Sequence, residues 1–270
     1  MIDSTHLHRD LDAIRQQAPL IDNITNYVAM NFSANALLAL GASPVMAHAI
    51  EEVEEMALHA GALVLNIGTI DTPWLDAMLR AGTSMRQRQG ITILDPVGVG
   101  ATRFRHRAAW EIIDRCHPHI IRGNASEILA LADNSDSGRG VDSTASPDIA
   151  VESARQLARH THAVVCVSGP TDYITDGTHT DTIDNGSPLQ TRVTAMGCTA
   201  TAVVGAFAAV NPDPYEATLH GMALMGVAGE MAAERSQGPG TMATAFLDIL
   251  YNITSQQVCQ RLANNEFLQQ

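Results

Sequence analysis

Five short segments carry residue types that can do chemistry. Asp95-Pro96-Val97-Gly98-Val99-Gly100 places a carboxylate at the end of the apolar run ITIL, with a proline-stiffened, glycine-rich turn behind it. A carboxylate so placed can hold a hydrated Mg²⁺ near phosphates, and a turn or helix cap accounts for it equally well. The Gly-x-Gly within it lacks the third glycine and the ribose-binding acid of a dinucleotide site. In Arg122-Gly123-Asn124-Ala125-Ser126-Glu127 a strand gives way to a helix. Asn124 and Glu127 have the spacing of a capping box, and Arg122 beside a helix N-terminus also makes a site for a phosphate and its metal.

Ser168-Gly169-Pro170-Thr171-Asp172 is a turn whose hydroxyls can cap a chain end or reach a ligand. Ala195-Met196-Gly197-Cys198-Thr199 opens an apolar helix. Gly197 lets a ligand approach the backbone, and the unpaired first-turn amides suit the charge of a phosphoryl group in transfer. The same helix end is expected to favour a Cys198 thiolate, although a small buried residue is the commoner reason for a lone cysteine there. Asp22-Asn23-Ile24-Thr25-Asn26-Tyr27, followed by Gly41-Ala42-Ser43-Pro44-Val45-Met46, offers amides, a tyrosine and a methionine for a small apolar heterocycle. Helix caps and a core Met46 explain these residues too.

Apolar runs alternating with helical periods are what position such segments. Candidate strands are Ala62–Ile67, Ile91–Leu94, His119–Arg122 and Ala163–Ser168. Their continuous apolar character suits a sheet covered on both faces. Candidate helices are Tyr27–Leu40, Glu51–His59, Pro73–Gln89, Ala125–Ala132 and Pro147–Arg159, with Thr72 as the cap before Pro73. A hairpin is expected around Gly177, and helices over Gly197–Val210, Pro214–Gln237 and Met242–Leu262. The pattern predicts an α/β chain in one domain, residues 1–270, with three layers around a mostly parallel sheet. In such sheets ligands sit beyond the carboxyl ends of the strands, where the candidate segments fall.

The chain has 270 residues, 46% hydrophobic and 17% charged, too apolar for disorder. Sixteen basic against 29 acidic side chains give a net charge of −13. With no basic cluster to offset that charge, nucleic acid is excluded as an expected partner. No apolar run is long enough to cross a bilayer. No secretory pattern opens the chain, and the four scattered cysteines form no CxxC. A reducing cytoplasm is the expected location.

In this order, the segments ITNYVAMNFSANALLALGASPVM, LNIGT, LDPVGVGATRFR and IRGNASEI, together with Gly197-Cys198, resemble the hydroxyethylthiazole kinase family of the ribokinase-like superfamily. The resemblance runs from about Pro19 to about Gly240. It implies a ribokinase-like α/β/α fold and ATP-dependent phosphorylation of the alcohol of 4-methyl-5-(2-hydroxyethyl)thiazole, in thiamine salvage, with Mg²⁺. It also implies that Asn26, Met46 and the Ala195 position meet the acceptor, and that Arg122, Ser168 and Asn124 meet ATP. Asp95 and Glu127 would organise the metal, while Gly197 and Cys198 would form the catalytic anion hole.

The family's trimers, with pockets between subunits, imply a homotrimer here. One departure stands out, Ala195 where the family usually has glycine, which costs little at negative φ and more at positive φ. Direct in-line transfer is the expected chemistry, with Cys198 either accepting the hydroxyl proton or shaping the pocket. A cysteine-nucleophile hydrolase and a non-catalytic thiazole binder are rival classes. A pyrimidine kinase or an ADP-dependent repair dehydratase is the nearer rival.

Overall fold

The computed structural model describes residues 2–133 and 147–268. Four strands stand close to where the apolar runs place them: β3 (Ala62–Asn66), β4 (Ile91–Asp95), β5 (Ile120–Asn124) and β6 (Val164–Ser168). Preceding them are β1 (Leu20–Ile24) and β2 (Ser43–Val45), and after them comes the hairpin β7 (Asp172–Thr175) and β8 (Thr180–Ile183). All eight form one sheet in the order β2-β1-β3-β4-β5-β6-β7-β8. Pairing is parallel from β2 through β6 and antiparallel from β6 to β8.

Period-two geometry sorts the strand side chains into two cores. Ala62, Val64, Ile93, Ile120, Val164 and Cys166 join one face, and Leu63, Leu65, Leu94, Ile121, Val165 and Val167 join the other. The first face is covered by α1 (Ser4–Gln17), α2 (Met30–Leu40), α8 (Met196–Ala208), α9 (Pro214–Glu234), α10 (Pro239–Asn252) and α11 (Ser255–Leu268). The second is covered by α3 (Val53–His59), α4 (Thr72–Gln87), α5 (Arg103–Cys116), α6 (Ala125–Ala132) and α7 (Pro147–Thr161). This is the three-layer α/β/α arrangement.

Helix α8 is buried along its whole body, every residue from Thr199 to Ala208 being out of solvent. Its small residues allow the close approach: a Cβ on Gly205 would come within 3.0 Å of Val64 Cγ2 on the sheet, and one on Gly221 of α9 within 2.9 Å of the Val204 Cα.

Several expectations need correction. The β1 and β2 strands lie where polar residues and Pro44 hide the apolar signal, and α1 and α5 went unpredicted because polar residues dominate them. The expected helix from Tyr27 begins at Met30, because Ala29 N–H bonds to Asn26 O and to the Asn26 side chain in a turn. The cap of α4 is Asp71, whose carboxylate accepts from Trp74 N–H at 2.8 Å, so Thr72 is already helical. The long helix expected over Met242–Leu262 is two helices, broken at the extended Ile253. Residues Pro188–Arg192 form a 3₁₀ turn before α8.

Candidate active site

The carboxyl ends of β1, β3, β4, β5 and β6 open on one edge of the sheet, and the α8 N-terminus meets them there. Asp95, the last residue of β4, is fully buried. Its Oδ2 accepts from Asn66 Nδ2 at 2.7 Å and from Thr201 Oγ1 at 2.8 Å, while its Oδ1 has no partner. Asn66, ending β3, passes the network on: its Oδ1 accepts from Asn26 Nδ2 at 2.9 Å and from Gly68 N–H at 2.9 Å. Asn26 Nδ2 also lies 3.2 Å from Cys198 Sγ. Five side chains from four elements are thereby held in one polar chain, and four of them are buried.

Arg122 lies across this chain on β5. Its Nη2 donates to Ser168 Oγ at 2.6 Å and its Nη1 to Gly197 O at 3.1 Å, joining β6 to the start of α8. Its Nε is buried without a partner. Burial works against the guanidinium, but Asp95 and Asp172 outweigh it and the Arg122 pKa is raised. Burial pushes the Asp95 carboxyl up to about 6, with Glu127 adding to the shift and Arg122 and the hydrogen bonds restraining it. Burial raises Asp172 to about 6 as well. The edge is thus a compact set of buried charges of both signs, where electrostatic effects exceed their value in water.

Asn124 and Glu127 form the capping box their spacing suggested. Asn124 Oδ1 accepts from Glu127 N–H at 2.9 Å and Glu127 Oε2 from Asn124 N–H at 2.9 Å. Glu127 Oε1 accepts from Gly98 N–H at 2.9 Å, so the same carboxylate ties the turn after β4 to the start of α6. Gly98 has φ +66°, a conformation that favours glycine. Arg105 pins the neighbouring loops by donating to Ile67 O, Val97 O and Gly68 O at 2.6 to 2.7 Å.

The donors fit a divalent cation held mainly by phosphate and water. The orphaned Asp95 Oδ1 is available, and each Glu127 oxygen accepts one amide and keeps a second lone pair. Among the described residues no group of three or more His, Cys, Asp or Glu forms a self-sufficient metal cage.

In α8 the first helical backbone bond runs from Thr199 N–H to Ala195 O at 2.8 Å. The amides of Met196, Gly197 and Cys198 therefore precede any intrahelical acceptor. A Cβ on Gly197 would come within 3.1 Å of Arg122 Nη1, so glycine keeps room for the guanidinium. The sequence favoured a Cys198 thiolate; the structure places the thiol where burial and then the Asp95 carboxylate raise its pKa. That environment favours the protonated thiol over the thiolate.

Ala195 has φ +66°, the left-handed region where a side chain is strained. Replacing it with glycine removes that strain, and Ala195→Gly is expected to raise the unfolding free energy by about 1 kcal/mol, read by chemical denaturation.

Met46 follows β2, half-buried, and its carbonyl bonds His48 Nδ1 at 3.0 Å. Asn26, Asp95, Arg122, Ser168, Gly197 and Cys198 share the bonded network described above, with Asn124 and Glu127 at its side and Met46 on an adjoining loop. Asn66, Thr201 and Arg105 went unnamed in the sequence. The one signal for the first two is a polar residue closing or interrupting an otherwise apolar element.

The Hydroxyethylthiazole kinase family profile matches residues 11–256. The chain belongs to this family. A hydroxyethylthiazole kinase of Nitratidesulfovibrio vulgaris (strain DSM 19637 / Miyazaki F) is 50% identical over 257 residues, covering 95% of this chain and 96% of the relative. Another, from Syntrophus aciditrophicus (strain SB), is 55% identical over 251 residues, 93% of each chain. The solved hydroxyethylthiazole kinase structure from Pyrococcus horikoshii OT3 superposes with a TM-score of 0.87 at 40% identity, over 94% of this chain and 96% of that one. A Staphylococcus aureus pyridoxal kinase in complex with AMP-PCP, 18% identical with a TM-score of 0.59 over 78% of this chain and 88% of its own, shares the fold. The network at the sheet edge thus belongs to a hydroxyethylthiazole kinase family member with a ribokinase-like fold.

Proposed function

We propose that this chain transfers the γ-phosphoryl group of ATP to the hydroxyl of 4-methyl-5-(2-hydroxyethyl)thiazole, as a thiamine-salvage kinase. The observation that carries the reading is the convergence, in a family member, of Asp95, Arg122 and the α8 amides on one buried edge. Arg122 is a buried cation bonded at that edge, and it supplies charge to the triphosphate with Ser168 and the exposed Asn124 beside it. The amides of Gly197 and Cys198 receive the phosphoryl oxygens as charge builds on them. Asn26, Met46 and Ala195 bound the acceptor. Asp95 and Glu127 would hold Mg²⁺, which when bound neutralises phosphate charge and aligns the leaving group.

A loose transition state asks for little early proton removal, so orientation and charge carry most of the rate and a protonated Cys198 suffices. Its thiol, fixed by Asn26, shapes the floor between acceptor and phosphoryl group. Tyr27, Val28 and Leu38 stand 61 to 64% exposed beside the acceptor loop and α2. Large apolar side chains left in water there favour a homotrimer whose pockets lie between subunits. No described helix is long and apolar enough to cross a membrane. The four cysteines are free thiols, in keeping with action in the cytoplasm.

ATP consumption measured over a panel of small alcohols tests the reading. Hydroxyethylthiazole is expected to be preferred over hydroxymethylpyrimidine, and equal rates with both would overturn the thiazole assignment. In the same assay Cys198→Ala is expected to keep kcat within about tenfold of the parent, below the loss typical of a missing general base. A loss of a thousandfold would restore Cys198 as the base.

A further inference from the structure

One aromatic side chain bridges the two loops that carry Asn26 and Met46. Trp74, in the first turn of α4, is 6% exposed and belongs to the second core, yet the two rings that meet it, Tyr27 and His48, are at the surface. Tyr27, next to Asn26, meets it at 5.0 Å between ring centroids with planes tilted by 59°. His48, two residues past Met46, stacks on it at 4.1 Å and 23°. Neither contact is loose at its far end. The Tyr27 amide donates to Thr69 Oγ1 at 3.2 Å, and His48 Nδ1 bonds Met46 O at 3.0 Å. Ala47 N–H is held from below by Asp22 Oδ1 at 3.3 Å. Trp74 is itself fixed, since its amide is the one capped by Asp71 at 2.8 Å.

We infer that Trp74 is a positioning residue that sets the distance between the Asn26 and Met46 walls, and so the size of alcohol the pocket accepts. His48 transmits its position to Met46, and Tyr27 transmits it to Asn26. The inference rests on the proposal that these two walls enclose the acceptor. Stacked and tilted rings at these separations attract one another beyond simple burial, and a rigid ring between two backbone segments holds their spacing better than a flexible side chain. Small displacements of an acceptor hydroxyl weaken its productive orientation, so the effect belongs to the acceptor and leaves ATP aside.

Steady-state kinetics with each substrate varied in turn tests this on Trp74→Ala, Trp74→Phe, His48→Ala and His48→Phe. Both alanine variants are expected to raise the KM for hydroxyethylthiazole about tenfold or more, with the KM for ATP within about twofold. Both phenylalanine variants are expected to recover most of the loss, because a ring remains in the stack. Trp74→Ala is also expected to accept bulkier alcohols relative to the parent. His48 is exposed, so His48→Ala folds even where Trp74→Ala does not. An unchanged acceptor KM in His48→Ala overturns the inference, as does an equal rise in both KM values. The sequence has two tryptophans, so Trp110→Phe leaves Trp74 as the sole indole. Acceptor binding is expected to shift its emission, and a flat titration with a saturating acceptor counts against the inference. Should the parent enzyme prefer a different alcohol, the functional reading fails, and the same KM comparison is read with that alcohol.

Discussion

Arg122→Ala is expected to lower kcat/KM for ATP by about 10²- to 10³-fold, the scale of losing one preorganised charge from a phosphoryl-transfer site. The guanidinium is buried, its two terminal nitrogens hold Ser168 and the Gly197 carbonyl, and Asp95 and Asp172 face it. Alanine removes the charge, releases the first turn of α8 and leaves two buried carboxylates without their counter-ion. Stripping one partner from a buried ion group costs about 3–5 kcal/mol, so Arg122→Ala is expected to lose stability as well. Arg122→Lys separates the two effects. It keeps a cation but cannot hold Ser168 Oγ and Gly197 O together as the planar fork does, so it is expected to recover more stability than turnover. Denaturant midpoints beside initial rates check this, and an alanine variant with parental kcat/KM for ATP would remove Arg122 from the mechanism.

Asp95→Asn is expected to move activity and stability in opposite directions. Losing the orphaned carboxylate oxygen should cut kcat by about 10²-fold or more, since charge at the phosphoryl group is what the site controls. The folded chain, however, carries Asp95 as a carboxyl raised to about 6 by burial. A folded pKa above the unfolded value near 4 means that the native state binds more protons between the two. Its contribution to stability is therefore lost as pH rises from about 4 through 6, and is flat above. The difference amounts to about 3 kcal/mol by pH 8. Asparagine does not titrate, so the variant should gain on the parent by about that amount between pH 4 and pH 8, in metal-free buffer. Parallel stability curves for the two proteins over this range would show that Asp95 does not bear the burial cost.

Much of the fold was legible because its central strands are buried on both faces. Ala62–Ile67, Ile91–Leu94, His119–Arg122 and Ala163–Ser168 read as continuous apolar runs, and each overlaps a central strand. The strand β1 escaped notice because Asp22 and Asn23 interrupt it, and only the neighbouring strands reveal that these polar residues sit inside. Helix α1 is likewise mostly polar, and its buried Leu7, Leu11 and Ile14 make a narrow stripe. Asp95 and Arg122 were legible as polar residues towards the ends of apolar strands, where a sheet delivers side chains to a shared edge, and Glu127 by its capping-box spacing from Asn124. Asn66 and Thr201 were not, because their importance is a bond to Asp95 across 29 and 106 positions of chain. The state of Cys198 was illegible for a related reason: a helix N-terminus favours the thiolate, but the opposing burial and carboxylate come from other elements. Ala195 could be read as a substitution whose cost hung on one torsion angle, and the fold supplies the sign of that angle.

The packing of α8 on both faces bears on how such a kinase diversifies. Helix α8, whose first amides are proposed to receive the phosphoryl group, fills the space between the sheet and α9, with its Gly205 against Val64 on one side and its Val204 against Gly221 of α9 on the other. Enlarging its side chains displaces a whole layer, so on the proposed function drift is expected to leave the donor end of the reaction unchanged. The loops after β1 and β2 are held instead by the contacts of Tyr27 and His48, both at the surface, with Trp74. On the proposed function, exchanges at the surface around Tyr27, Met46 and His48 would reach new acceptors without disturbing the buried helix, and heritable change in specificity is expected to accumulate there before it touches Gly197.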